Sequence, residues 1–260
     1  MAELGAVVAE VRRQRPLVHC LTAAVTMNFV ADALLAAGAR PMMTETVDEA
    51  PTLVTVADAL LVNLGTLSTD GASGIPATAR IAADKGTPWV LDPVAIGLAP
   101  VRTPLARELV GLGPSVVKGN ASEVLALAGS GAGGSGPDAT DAVTAAEQAA
   151  TALAQRYGAV VAVTGARDLV TDGNRSGTLD RGHPWLARVT GTGCALGGLM
   201  AACLAVAEPW PATLAALSWL TIAAEDAAAH SRGPGSFKIA LLDELAALTP
   251  EELDERVGMR

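Results

Sequence analysis

Short apolar runs rich in β-branched residues alternate with longer alanine-rich stretches through the middle of this chain, and few folds tolerate that alternation. ALLVNLGT (59–66), PWVLDPV (88–94), PSVVKGN (114–120) and GAVVAVTG (158–165) are apolar nearly throughout. A strand with one face in water alternates polar and apolar residues, whereas runs like these belong to strands covered on both faces of a parallel sheet. Around them, 72–85, 103–112, 121–128 and 140–156 read as helices. Repeated strand–helix units predict a three-layer, doubly wound α/β fold: a mostly parallel sheet, helices on both faces, right-handed crossovers. After the fourth run, DLVTDGNRSGTLDRG has a turn signal at Asp172-Gly173-Asn174, which predicts an antiparallel hairpin at the sheet edge. From Thr190 onward the chain reads as nearly all helix.

The 260 residues are expected to form one domain, 1–260, with no linker or repeat to divide it. Half of them are hydrophobic, yet four Trp, two Phe and one Tyr are the only aromatic residues. Alanine, valine and leucine must fill the core, which favours close packing of helix on sheet. The net charge is −9 and the basic residues are scattered, so no basic stripe offers itself to nucleic acid. Cys20, Cys194 and Cys203 lack metal-ligand spacing, and His19, His183 and His230 lie far apart in the sequence. A reducing, cytoplasmic setting without structural zinc is the expectation. The opening MAELGAVVAEVRRQRP carries acids where a secretory signal needs a basic start. Residues 189–207 hold no charge, but the run opens on a Gly/Thr turn. The helix left after Cys194 is too short to cross about 30 Å of hydrocarbon, so it reads as buried and no membrane partner is expected. GSGAGGSGPDATD (129–141) reads as a flexible loop: it lacks a Lys-Ser/Thr ending and follows a helix.

In open α/β sheets, ligands gather at the carboxyl ends of the strands. Each apolar run here ends in polar residues: Asn63 to Thr66, Asp92-Pro93, Lys118 to Asn120, and Thr164-Gly165. One such end is an ordinary turn; four on one rim mark a site. Asp92 reads as a turn former before proline or as a carboxylate near Mg²⁺. In NASE, Asn120 and Glu123 stand three apart at a helix start, the spacing of a capping box, and a metal role is equally open. In VTGTGC, the glycines Gly191 and Gly193 flank Thr192 and let the backbone approach an anion at a helix N-terminus. A glycine turn packing a helix on the sheet reads the same way. Cys194 follows, where a small hydrophobe is the bland reading. The helix dipole there lowers its thiol pKa while an anion bound beside it pulls the other way, so no permanent thiolate is expected.

These segments together resemble the hydroxyethylthiazole kinase family, within the ribokinase-like superfamily. The resemblance rests on PLVHCLTAAVTMNFVADALLAAGARPMM, LVNLGTL, VLDPVAIG, KGNASE, AVTGARD, RVTGTGCALGG and GPGSFKIALLDEL, in that order along nearly the whole chain. It implies ATP- and Mg²⁺-dependent phosphorylation of the hydroxyl of 5-(2-hydroxyethyl)-4-methylthiazole, in thiamine salvage, by a homotrimer with sites at subunit interfaces. It also implies that Met43 contacts the thiazole, Gly191 binds it through the backbone, and Lys118 and Thr164 bind ATP. Cys194 stands where related kinases carry an aspartate base, which makes it a weak catalytic base. Asp92 and Glu123 match the acidic positions that serve Mg²⁺ and the triphosphate. The sequence departs from the family's habit at three places: Lys118 for an arginine, Ala23 for an asparagine, and Asp32 for another. Lysine keeps the charge but not the two-pronged fork. The rival readings are a pyrimidine- or pyridoxal-type kinase, which would carry aspartate at Cys194, and a non-catalytic nucleotide- or thiazole-binding protein.

Overall fold

The computed structural model of the chain describes residues 4–129 and 139–257. The loop expected at 129–141 therefore lies largely outside the described residues. The chain opens with α1 (Leu4–Gln14), β1 (Leu17–Leu21), α2 (Met27–Ala36), β2 (Arg40–Met42) and the single-turn α3 (Ala50–Leu53). Next come β3 (Ala59–Asn63), α4 (Thr69–Lys85), β4 (Trp89–Asp92), α5 (Arg102–Val110), β5 (Val116–Asn120), α6 (Ala121–Ala128), α7 (Ala139–Tyr157) and β6 (Val160–Thr164). The hairpin of β7 (Asp168–Thr171) and β8 (Ser176–Leu179) leads into α8 (Thr192–Leu204), α9 (Pro209–Ala229), α10 (Pro234–Ala247) and α11 (Pro250–Arg256).

All eight strands form one sheet, in the order β2-β1-β3-β4-β5-β6-β7-β8. β1 to β6 are parallel, and β7 and β8 are antiparallel, as the apolar runs and the turn signal predict. β1 and β2 extend the sheet beyond the four parallel strands expected. β2 is only three residues long and carries Pro41, which an edge strand tolerates because one side of its backbone needs no partner.

Alternate residues of each strand feed two cores. Val18, Cys20, Leu61, Val90, Val116 and Ala162 pack with α1, α2 and α8 to α11. Leu21, Leu60, Val62, Leu91, Val117 and Val161 pack with α3 to α7. That is the three-layer arrangement, and period-two alternation with both faces apolar is its cause.

Helix starts follow their caps. α4 begins ahead of the expected residue 72, because the Ser68 hydroxyl accepts the Gly71 N–H at 2.8 Å and caps the helix there. α8 is buried over nearly its whole length. It rests on the sheet through Gly197, where an added Cβ would come within 2.9 Å of Leu61 Cδ1. The uncharged run that opens on a Gly/Thr turn is thus an interior helix, as expected, and no described helix is long and apolar enough to cross a membrane.

Candidate active site

Strand register brings the polar strand ends together. Asn63 lies opposite Asp92, which the β4–β5 register brings level with Lys118, and β5 and β6 run two residues further, to Asn120 opposite Thr164. The Lys118 ammonium contacts both Asp92 oxygens at 3.0 Å, and Asn63 Nδ2 donates to Asp92 Oδ2 at 2.6 Å. Lys118 is 5 % exposed and Asp92 is fully buried. Burial works against the charge on Lys118, but Asp92 outweighs it and its pKa rises. Burial likewise raises the Asp92 carboxyl, against the pull of Lys118. The two near-equal contacts are those of a carboxylate with an ammonium.

Glu123 forms the capping box expected of NASE. Its Oε2 accepts the Asn120 N–H at 2.8 Å, while Asn120 Oδ1 accepts the Glu123 N–H at 2.9 Å. Its Oε1 accepts the Ala95 N–H at 2.9 Å. Ala95 has a φ of 57°, in the left-handed region, and Glu123 holds that turn after β4 in place.

The N-terminus of α8 stands above this pair. Gly191 is its cap residue with a φ of 100°, and no side chain caps the helix among the described residues. The N–H groups of Thr192, Gly193 and Cys194 have no carbonyl one turn back to bond to, so they face outward as an anion site. A Cβ on Gly193 would sit 3.4 Å from Lys118 Nζ, which puts the ammonium beneath these amides. The Thr192 hydroxyl donates to Leu186 O at 2.7 Å and so anchors the turn Pro184–Arg188.

Cys194 is half-buried, with Thr26, Asn63, Asp92 and Lys118 near enough to act on its thiol. Burial pushes its thiol pKa up; Thr26, Lys118 and Asn63 pull down and Asp92 adds to the rise. The depression expected from the helix dipole is not found, because desolvation outweighs it. Cys194 is a neutral thiol at pH 7.

The α8 N-terminus has a packed β1 side and an open β6 side. On the β1 side, a Cβ at Gly191 would come within 3.1 Å of Thr26 and Phe29, and the half-buried Met43 packs against the core that includes Phe29. Ala23 is buried there against Gly65, and Asp32 lies half-buried on α2. On the β6 side is a cleft of about 630 Å³, lined by Thr164, Gly165 and Gly193 and, among its apolar residues, by Leu186, Leu196, Leu217 and Leu220. Arg181 and Gly182 line it too, held by Glu225 of α9 at 2.6 and 3.0 Å.

The pattern of the hydroxyethylthiazole kinase family matches residues 8–251. The chain belongs to that family. The hydroxyethylthiazole kinase of Clavibacter sepedonicus is 52 % identical over 244 residues, 93 % of this chain and 88 % of that one. The enzyme of that name from Gemmatimonas aurantiaca is 49 % identical over 252 residues, 96 % and 91 % of the two chains. The solved hydroxyethylthiazole kinase of Pyrococcus horikoshii superposes with a TM-score of 0.92 at 37 % identity, over 100 % of this chain and 99 % of that one. An ADP complex of Bacillus subtilis pyridoxal kinase gives a TM-score of 0.61 at 19 % identity, over 80 % and 90 % of the chains, a likeness of fold alone.

Within this family member, the residues expected at the site converge: Asp92, Lys118, Gly191, Thr192, Gly193 and Cys194 are at one point, with Thr164 on the cleft wall. Met43 lies on the β1 side, packed against the core that includes Phe29. Both residues expected to serve Mg²⁺, Asp92 and Glu123, are engaged within the chain. Asp92 is closed off by Lys118 and Asn63, and each Glu123 oxygen already accepts a backbone N–H. Among the described residues no group of three or more His, Cys, Asp and Glu is placed to hold a metal ion. Sequence reasoning missed Asn63 as a partner of Asp92, Thr26 as a neighbour of Cys194, and the whole Arg181–Thr221 side of the cleft. Only Asn63, at a strand end already marked as polar, carried a signal that pointed to it.

Proposed function

We propose that the protein transfers the γ-phosphoryl group of ATP to the hydroxyl of 5-(2-hydroxyethyl)-4-methylthiazole, in thiamine salvage. The observation that carries this reading is the uncapped N-terminus of α8 standing over the Lys118 ammonium at the wall of the β6-side cleft, with Cys194 beside it. The nucleotide lies in the β6-side cleft past Thr164, its phosphates on the amides of Thr192 to Cys194. The thiazole lies toward Met43 and the backbone of Gly191, and its hydroxyl meets the γ-phosphate beside Cys194. Phosphoryl transfer has a loose transition state that needs positioning and charge stabilisation more than covalent help. Fixed amides and the Lys118 ammonium supply that stabilisation without reorganising. The neutral Cys194 thiol orients the alcohol. The test is ADP release over a panel of alcohols: kcat/KM is expected to be highest for the hydroxyethylthiazole, and preference for a pyridoxal or pyrimidine alcohol, or no turnover, contradicts the reading.

Met43→Ala is expected to raise KM for the thiazole and leave that for ATP unchanged. Equal changes in both would return Met43 to a packing role. For Cys194→Ala, a general base would be worth about 10²–10⁴-fold, but a neutral thiol offers one hydrogen bond, worth about tenfold. A fall in kcat of about tenfold is therefore expected, with Cys194→Asp active and faster than the alanine variant. A kcat equal to the parent's in both removes this side chain from the chemistry.

The assembly is a homotrimer in this reading, with the thiazole site closed by a neighbouring subunit. The exposed apolar Val25, Leu35 and Ile239 supply surface for such a contact. A fully active monomer in sedimentation would contradict it.

A further inference from the structure

Asp168 is a buried carboxylate that phosphoryl transfer leaves without a task. It opens β7 on the wall of the β6-side cleft and is 6 % exposed. Its Oδ1 accepts the Gly165 N–H at 3.0 Å, which places it beside Thr164 at the strand end. Burial pushes its carboxyl up to about 6, against the Gly165 N–H and the Lys118 charge.

A carboxylate is a poor lining for a cleft that receives only a polyanion. When ionised it accepts hydrogen bonds and cannot donate, so its partner must be a donor on the ligand. Phosphates have none to offer and repel it. The base belongs against the apolar lining, among Leu186, Leu196, Leu217 and Leu220. The donors between phosphates and base are the sugar hydroxyls. We propose that Asp168 recognises the ribose of the nucleotide, its carboxylate accepting hydrogen bonds from the 2′- and 3′-hydroxyls, and so sets a preference for ribonucleotides. This rests on the cleft being the nucleotide site.

The competing role is structural, a lock on the turn between β6 and β7. Asp168→Asn separates the two, because the amide oxygen still accepts the Gly165 N–H while the charge and the second acceptor are lost. The recognition role predicts that Asp168→Asn raises KM for ATP by about tenfold, with kcat, KM for the thiazole and thermal unfolding little changed. A purely structural role predicts no change in KM. Sugar hydroxyls favour the ionised carboxyl, so ADP affinity of the parent falls more steeply as pH drops through about 6 than that of Asp168→Asn, the terminal phosphate of ADP titrating alike in both. The charged or titratable groups facing it are Lys118 on β5, Glu225 on α9, and Arg181 and His183 after β8; Lys118 is tied to Asp92, and Arg181 to Glu225.

The parent itself provides a test that needs no variant. It should use ATP about tenfold better than 2′-deoxy- or 3′-deoxy-ATP, and Asp168→Asn should lose most of that discrimination. Equal use of the three nucleotides by the parent, or discrimination intact in Asp168→Asn, overturns the proposal. Ala187→Trp, which crowds the exposed cleft wall, tells the two failures apart by calorimetry with ADP. Normal ADP binding in that variant means the cleft is misassigned, whereas blocked binding with unaltered sugar selectivity sinks only the role of Asp168.

Discussion

Lys118→Ala is expected to cost about 3–5 kcal/mol of stability as well as most of the catalytic rate, because it leaves a carboxylate buried without its counter-charge. Asp92 is fully buried, and with Lys118 gone only Asn63, among the described residues, bonds to its side chain. The protein's remaining option is to keep Asp92 protonated. A carboxyl whose folded pKa lies above its unfolded value of about 3.9 destabilises as pH rises past that value. The stability deficit of Lys118→Ala should accordingly shrink toward pH 4 and be largest near neutrality. Lys118→Arg keeps the charge and is expected to fold and to turn over. Denaturant unfolding of the two variants at both pH values decides the matter, and an alanine variant as stable as the parent at pH 7 would show that the pair contributes nothing.

Gly191→Ala should lower kcat by about 10²-fold, through the backbone rather than through any side-chain contact with substrate. A side chain at a φ of 100° is strained, and its Cβ would press on Thr26 and Phe29 at 3.1 Å. The turn must shift, and the amides of Thr192 to Cys194 shift with it. Gly193→Ala is the control: Gly193 is exposed, its φ is not in the left-handed region, and the Lys118 nitrogen at 3.4 Å is the one near neighbour of an added Cβ. That variant should fold as the parent does. Any loss of nucleotide affinity in it reports how closely the phosphate approaches the backbone. Wild-type kcat in Gly191→Ala would mean that the glycine turn merely packs α8 on the sheet.

The parts of the fold that rest on local pattern could be read from the chain alone. β3 to β6 are apolar on both faces, so their runs announce themselves, and the Asn120–Glu123 box marks the start of α6 by spacing. β1 is different: LVHCL puts a histidine and a cysteine into a buried strand, and that histidine is neutral because burial lowers its pKa. β2, at three residues with a proline, lies below what periodicity resolves. The pairing of Lys118 with Asp92 spans 26 residues and depends on Val90 lying opposite Val116 and Leu91 opposite Val117. No local pattern encodes that register, so the two residues were expected at one site without being expected to neutralise each other. The same holds for the cleft, whose far wall comes from α9 and the segment after β8. For Cys194 the sequence showed the helix dipole but not the burial that overrides it.

The stereochemistry of the transferred phosphorus tests most directly whether the group passes straight from nucleotide to alcohol above the α8 N-terminus. ATP chiral at the γ-phosphorus through oxygen isotopes would be turned over with the hydroxyethylthiazole, and the product ester analysed for configuration. A single in-line transfer inverts the phosphorus, and inversion is the predicted result. Retention would require two transfers through a phosphorylated side chain, Cys194 foremost, and would contradict a site in which amides and an ammonium position the reactants while the thiol stays neutral.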